Sequence, residues 1–167
     1  MRRLNAISGI VAGGMIVVIC VLIVAQIVAR LFGFVLPGAD EFAIAAFVAA
    51  VFIGLPYTLA SGGHVRADVI VLMFSPAWRR RTEILVHVVA LAFIAYFAYY
   101  AANLAWSSCL RNAKFQGLLG SPLWIPQASI VLGLVLLELA LIQGLFRTLR
   151  ERPEEFVARS TAQEGVE

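Results

Sequence analysis

Charged residues are scarce in this sequence, and their scarcity limits the kind of protein it can encode. Asp, Glu, Lys and Arg make up 14% of the 167 residues, whereas hydrophobic residues make up 62%. A typical soluble domain is about 25% charged and about 45–50% apolar. With a mean hydropathy of +0.92, the composition excludes a water-soluble globular enzyme.

The sequence also lacks the motifs of several enzyme classes. It contains no G-x-x-x-x-G-K-[ST] phosphate loop, no G-x-S-x-G nucleophile elbow and no H-E-x-x-H metalloprotease motif. A pump driven by its own ATPase is therefore excluded. The two cysteines, Cys20 and Cys109, fall at different depths of different apolar blocks, so no disulfide between them is expected.

The sequence does contain long apolar blocks. A helix needs about 20 apolar residues to cross a hydrocarbon core of about 30 Å, and four segments meet this length. We predict an all-α integral membrane protein whose residues 1–150 form a four-span domain. The predicted spans are 7–29, 42–59, 82–105 and 122–146. The first block is longer than a signal-peptide core and is expected to remain as a span. The tail 151–167 is polar and expected to be disordered.

The connection between the second and third spans has a mixed pattern. On a helix over 64–75, His64, Asp68 and Ser75 fall within about 40° of one another, apart from most of the apolar residues. This pattern predicts a short amphipathic helix in the membrane interface. Pro76 and the arginines at 79–81 are expected to end it.

The distribution of basic residues predicts the topology. With four spans, ten of the 13 Lys and Arg residues lie on one side of the membrane, and Arg30, Arg111 and Lys114 lie on the other. The positive-inside rule then places both termini in the cytoplasm. Trp106 and Trp124 fall at the opposite interface, as membrane-anchoring aromatics do. The net charge of +3 is interpreted as orienting the chain in the membrane and not as binding nucleic acid.

Glu138 lies in the middle of the fourth predicted span, where a charge costs at least about 2.5–3.5 kcal/mol on insertion scales. Its carboxyl must be neutral or paired. It is either an ion or proton site or, more simply, a structural hydrogen bond to a neighbouring helix or another subunit. His87 lies at a depth from which it could meet Glu138, but Glu83, one turn earlier on the same helix, is the simpler partner.

Four short motifs, in this order and spacing, resemble the DctQ-type small membrane subunit of TRAP (tripartite ATP-independent periplasmic) transporters. They are Arg30, P-G-A-D-E-F-A at 37–43, G-H-V-R-A-D-V at 63–69 and S-P-L-W-I-P at 121–126. The third is the most specific, because the family commonly shows H-V-R-V-D there. Ala67 departs from that pattern only in size.

The resemblance implies an accessory, non-enzymatic subunit of a secondary transporter in the bacterial inner membrane. Its expected partners are a large DctM-type membrane subunit, a periplasmic solute-binding protein and membrane lipids, with no nucleic acid. The solute is expected to be an organic acid. Sodium coupling is expected in the large subunit, and this chain is expected to hold no cofactor or metal.

Roles at the matching positions follow as expectations. Asp40 and Glu41 are expected either to pair with Arg30 or cap the second helix, or to contact a docking partner, and the local role is favoured. Arg111 and Lys114 are candidates for steering a binding protein with an acidic surface. Interface contacts with lipid or a partner subunit are also expected from His64, Arg66, Asp68 and Trp124, with a solvated loop as the equal alternative for the first three.

Two other functions remain open from the residues alone. Two histidines, His64 and His87, raise the possibility of a haem b membrane anchor of a respiratory oxidoreductase, although His64 lies in a Gly-rich loop and not on an apolar helix face. A self-contained small exporter that acts as an oligomer is the third possibility.

Overall fold

The structure, a computed structural model, describes residues 2–60 and 76–150. The described chain forms four helices: α1, Arg2–Leu31; α2, Ala39–Ala60; α3, Pro76–Leu110; and α4, Trp124–Arg150. All four are long and apolar enough to cross a membrane, which confirms the predicted four-span, all-helical fold. The predicted interfacial helix, with His64, Arg66 and Asp68, and the tail from 151 lie outside the described residues.

The helix ends differ from the predicted ones most clearly in α3. The third span was predicted to begin at about residue 82, after Pro76 and the arginines at 79–81, but these residues form the first turns of α3. Proline suits the first turn of a helix because the missing N–H would have no partner there. At its other end α3 continues past Trp106 to Leu110, so this tryptophan does not mark the end of the helix.

The helices pack in the order α1, α2, α4, α3, each mainly against its neighbours in that series. The central pair is α2 and α4, and α1 and α3 form the two edges. Because such an arrangement leaves both sides of the series open, few hydrophobic side chains are buried among the described residues: Ala39, Ala46, Leu134, Leu137 and Leu141. Exposed Val, Ile, Leu and Phe side chains cover the rest of the helices, as is normal for surfaces that face lipid or another membrane protein.

Several glycines lie at close contacts between neighbouring helices. A methyl group on Gly9 would lie 2.7 Å from the Tyr57 ring, and one on Gly54 would lie 3.2 Å from Ala12. One on Gly133 would overlap the main-chain carbonyl of Phe52. Membrane helices use glycine in this way because close backbone approach maximises van der Waals contact where lipid gives no hydrophobic driving force.

The contact at Gly133 coincides with a proline in α2. Pro56 lies inside the helix and is fully buried. It has no N–H to donate to the carbonyl of Phe52, four residues earlier. That carbonyl is the one against which the backbone of α4 packs at Gly133. The weakened point in the hydrogen bonding of α2 therefore faces its neighbour α4, and a side chain at 133 would separate the two helices.

Candidate functional site

The best-defined polar site lies where the α1–α2 loop, residues 32–38, meets the α3–α4 loop, residues 111–123; we call this end of the molecule the loop end. Both preceding helices stop in the same way. Gly33, with φ 76°, follows α1, and Asn112, with φ 47°, follows α3. The amides of Phe34 and Ala113 donate to carbonyls five residues earlier, those of Ala29 and Ser108. Such left-handed caps satisfy the last carbonyls of a helix and turn the chain sharply.

After this turn the α3–α4 loop closes on itself. Phe115 N–H donates to the Ser121 carbonyl at 2.9 Å, and Leu123 N–H donates to the Ala113 carbonyl at 3.0 Å. Gly120 has a φ of 62°, a conformation that glycine adopts without steric cost. The tip of the loop, residues 117–121, is thereby held beside the start of α2.

Glu41, in the first turn of α2, accepts hydrogen bonds from three N–H groups and one hydroxyl of this tip. Its Oε1 accepts from the N–H groups of Leu119, at 3.2 Å, and Gly120, at 3.1 Å. Its Oε2 accepts from the N–H of Ser121, at 2.8 Å, and from the Ser121 hydroxyl. The Glu41 side chain is only 4% exposed. Three successive N–H groups around one carboxylate form an anion-binding nest, which this protein fills with its own side chain.

Two further contacts tie the other parts of the loop end together. Gln26 of α1 donates from Nε2 to Asp40 Oδ1 at 2.7 Å, which joins α1 to the start of α2. Leu119 packs closely against Gly38, whose φ is 82°. We conclude that Asp40 and Glu41 hold the loop end together, one across α1–α2 and the other across α2 and the α3–α4 loop.

The basic residues of the loop end are exposed. Arg30 forms no ion pair with Asp40 or Glu41 among the described residues; Asp40 is bonded to Gln26 instead, and Glu41 is occupied by the loop tip. Arg111 donates from Nε and Nη2 to the carbonyl and hydroxyl of Ser107, and so helps to cap α3. Lys114 and Trp124 are both exposed. The cations therefore remain available at the surface.

The loop end also exposes hydrophobic side chains. We define the apolar rim as five strongly exposed residues of the loop end: Leu31 at 80%, Phe32 at 74%, Phe34 at 70%, Val35 at 75% and Leu118 at 81%. An exposed apolar group of this kind beside polar residues is typical of an interaction or membrane surface. The loop end therefore combines a rigid interior with a surface that carries both apolar and positive groups.

His87 and Glu138 are not brought together. His87 Nδ1 lies 2.8 Å from the main-chain carbonyl oxygen of Glu83, so the residue at i−4 contacts His87 through its backbone. Its Nε2 faces Gly144 of α4, where a methyl group would lie 2.8 Å away. Gly144 is six residues from Glu138, or roughly 9 Å along the helix. His87 therefore packs at the contact between α3 and α4.

Sequence reasoning missed Ser121 and the loop tip as the partners of Glu41, and Gln26 as the partner of Asp40. The only available signal was the cluster of Gly117, Gly120 and Ser121 between the last two spans, since glycine and serine are common in loops that bind anions through backbone N–H groups. For metal binding the described ranges offer no site, because no three or more His, Cys, Asp or Glu side chains group together there.

Comparison with known proteins identifies the family. The family described as "Tripartite ATP-independent periplasmic transporters, DctQ component" matches residues 19–151, from the middle of α1 to the end of α4. No curated protein matches the chain. The matched family is a transporter component and not an enzyme, and it does not favour a haem-carrying anchor. The resemblance seen in the sequence motifs is confirmed.

Proposed function

Because the chain belongs to the DctQ family of tripartite ATP-independent periplasmic transporters, we propose that it is the small permease subunit of such a transporter. It would act with a large DctM-type membrane subunit and a periplasmic binding protein to import an organic acid. The family match carries this proposal. The solute site and the sodium coupling would reside in those partners, and this chain would need no cofactor of its own.

The architecture supports a scaffold role for this subunit. Four apolar helices arranged in series present two broad sides that the described residues leave largely exposed. A subunit of this shape can lie along a larger membrane protein on one side and face lipid on the other. In this role it would anchor the stationary part of the large subunit in the bilayer.

The charge distribution supports an inner-membrane topology with both termini in the cytoplasm, which would place the loop end in the periplasm. The apolar rim, together with Arg30, Arg111 and Lys114, would then face the binding protein. Exposed cations of this kind steer an acidic partner over a distance of about 8–10 Å at physiological salt. The hydrogen bonds of Glu41 would keep this surface in one conformation.

The first test is an affinity purification of the tagged chain from native membranes in mild detergent, with identification of the bound proteins by mass. We expect a much larger, many-span protein in a fixed ratio. Recovery of a flavoprotein or iron–sulfur subunit with a haem absorption spectrum would refute the proposal in favour of the oxidoreductase anchor. Recovery of the chain alone as an oligomer, with transport activity in proteoliposomes, would favour the exporter.

The docking role of the loop end has its own test. In proteoliposomes containing both membrane subunits, the charge reversals Arg30→Glu and Lys114→Glu should together slow association of the binding protein, and the difference from wild type should shrink as salt is raised. The double reversal Arg150→Glu and Arg152→Glu, after the fourth predicted span, makes the same change in net charge and is the matched control. Equal rates for all three proteins would show that the binding protein docks elsewhere.

A further inference from the structure

Glu138 is an acid at the centre of a membrane-spanning helix. It follows Trp124 by 14 residues and precedes Arg150 by 12 in the 27-residue α4, so it lies roughly 21 Å and 18 Å from the two ends. Neither end of the helix is close enough for its short side chain to reach water. The carboxyl therefore needs a hydrogen-bond partner inside the bilayer.

The described part of the chain provides no such partner. Within residues 2–60 and 76–150, nothing donates a hydrogen bond to the Glu138 carboxyl and no cation pairs with it. The nearest candidate by sequence, His87, lies at the level of Gly144 and uses Nδ1 on its own helix. Glu138 is partly exposed, so a group from another molecule can reach it.

The residues that share this side of α4 are also partly exposed. At 100° per residue, Gln127, Val131 and Leu145 all fall within about 20° of Glu138. We call these four residues the Glu138 flank, and each is intermediate in exposure. Gln127 adds a second unmet group, because its Oε1 is buried and accepts no hydrogen bond from the described residues. Leu132, by contrast, is 52% exposed and lies about 120° away from Glu138.

We propose that the Glu138 flank is the surface of α4 that contacts a transmembrane segment of the large subunit, and that this segment carries a hydrogen-bond donor opposite Glu138. The inference deepens the proposed function and rests on it. Lipid chains offer no donor, so a lipid-facing position would leave the carboxyl without a partner. A polar group on the neighbouring helix satisfies it and also fixes the register of the two subunits.

Site-specific photocrosslinking of the assembled complex tests the position of this surface. A benzophenone amino acid is placed at Val131, at Leu145 or, as the matched control, at Leu132, and the products are identified by mass. Crosslinks to the large subunit from Val131 and Leu145, but not from Leu132, are expected. The opposite pattern, or crosslinks from the flank to a second copy of this chain, would overturn the inference.

Substitution at Glu138 tests the hydrogen bond. Glu138→Leu should lower the amount of large subunit that co-purifies by roughly 5- to 30-fold, whereas Glu138→Gln, which keeps an acceptor oxygen, should retain most of it. The melting temperature of each isolated variant checks that it folds. Wild-type recovery by Glu138→Leu would overturn the inference. A wild-type chain that recovers no large subunit would instead refute the proposed function.

Discussion

Glu41 and Glu138 lie on the two central helices of the same molecule, but the described chain supplies hydrogen-bond donors to only one of them. At the loop end, Glu41 is nearly inaccessible and accepts hydrogen bonds from three backbone N–H groups and one hydroxyl. At the centre of α4, Glu138 is partly exposed and no described residue donates to it. Glu41 finds its hydrogen-bond donors within this chain, whereas Glu138 requires a donor from another molecule.

The difference shows how a small membrane subunit separates its own folding from its assembly. Buried polar groups that are satisfied internally make a region rigid and independent of partners. A polar group left unsatisfied in the bilayer makes the isolated subunit less favourable than the complex. The loop end is therefore expected to keep its structure in the isolated chain, whereas the Glu138 carboxyl gains a hydrogen-bond partner only on assembly.

The strongest test of the comparison is Glu41→Ala. It removes both acceptor oxygens and leaves the N–H groups of the loop tip without a partner. We therefore expect a larger fall in melting temperature than a glycine-to-alanine change in the helices or the loop would cause. Asp40→Ala, which removes one hydrogen bond from an exposed neighbour, is the matched control. Thermal unfolding in detergent measures both. Equal shifts for the two variants would contradict a special role for Glu41.

Gly133→Ala tests whether the contact of α2 with α4 depends on the backbone. The new methyl group would overlap the Phe52 carbonyl, and overpacking of this kind costs about 1–3 kcal/mol. Gly14→Ala is the control, because nothing lies within 4 Å of its added methyl group, and it should leave stability unchanged or slightly raised. Unfolding titrations in mixed micelles compare them, and a cost that is the same at both positions would show that the close approach is unimportant.

Gly117→Ala tests how firmly the loop tip holds Glu41. A methyl group at 117 would overlap Glu41 Oε1, and because the carboxylate is held by several hydrogen bonds it cannot move aside freely. We expect a loss of about 1 kcal/mol in wild type. The loss should largely disappear when Glu41→Ala is already present, since the free-energy effects of substitutions at two contacting residues do not add. Additive effects in this double-mutant cycle would contradict the contact.

Glu138→Leu gives the smallest expected effect on the isolated chain and so sharpens the contrast with Glu41. Because the carboxyl makes no hydrogen bond within the described chain, its unfolding free energy should stay within about 0.5 kcal/mol of wild type. Unfolding of the purified subunit without its partners measures this. A loss as large as that of Gly133→Ala would mean that Glu138 has a partner in its own chain.

The four helices were predictable because bilayer thickness imposes a minimum length on apolar segments. Their ends were less so. The arginines at 79–81 were expected to precede the third span, but they form part of α3 beyond its apolar part, since a helix can extend into water without apolar residues. The order of the helices in space was not predictable at all, because lipid-facing and protein-facing surfaces are equally apolar in a membrane.

The candidate site was predictable only in part. Asp40 and Glu41 were identified from their charge and their place at a helix start. The partner of Glu41, however, is a set of backbone N–H groups nearly 80 residues later. Because almost every residue has a backbone N–H, the sequence does not show which of them bind a carboxylate, apart from glycines that allow the required loop conformation. Arg30 was a reasonable partner by distance along the chain, but exposed ion pairs stabilise little, and Asp40 accepts a hydrogen bond from Gln26 instead.

The order of packing, α1, α2, α4, α3, also has a consequence for biosynthesis. As the chain leaves the ribosome, α2 finds α1 already in the membrane, but α3 emerges before α4, the helix against which it chiefly packs. The third span must therefore wait at the insertion machinery, or in lipid, until the fourth is made. A chain that ends before α4 should accordingly be recognised and degraded by membrane quality control far faster than the complete subunit.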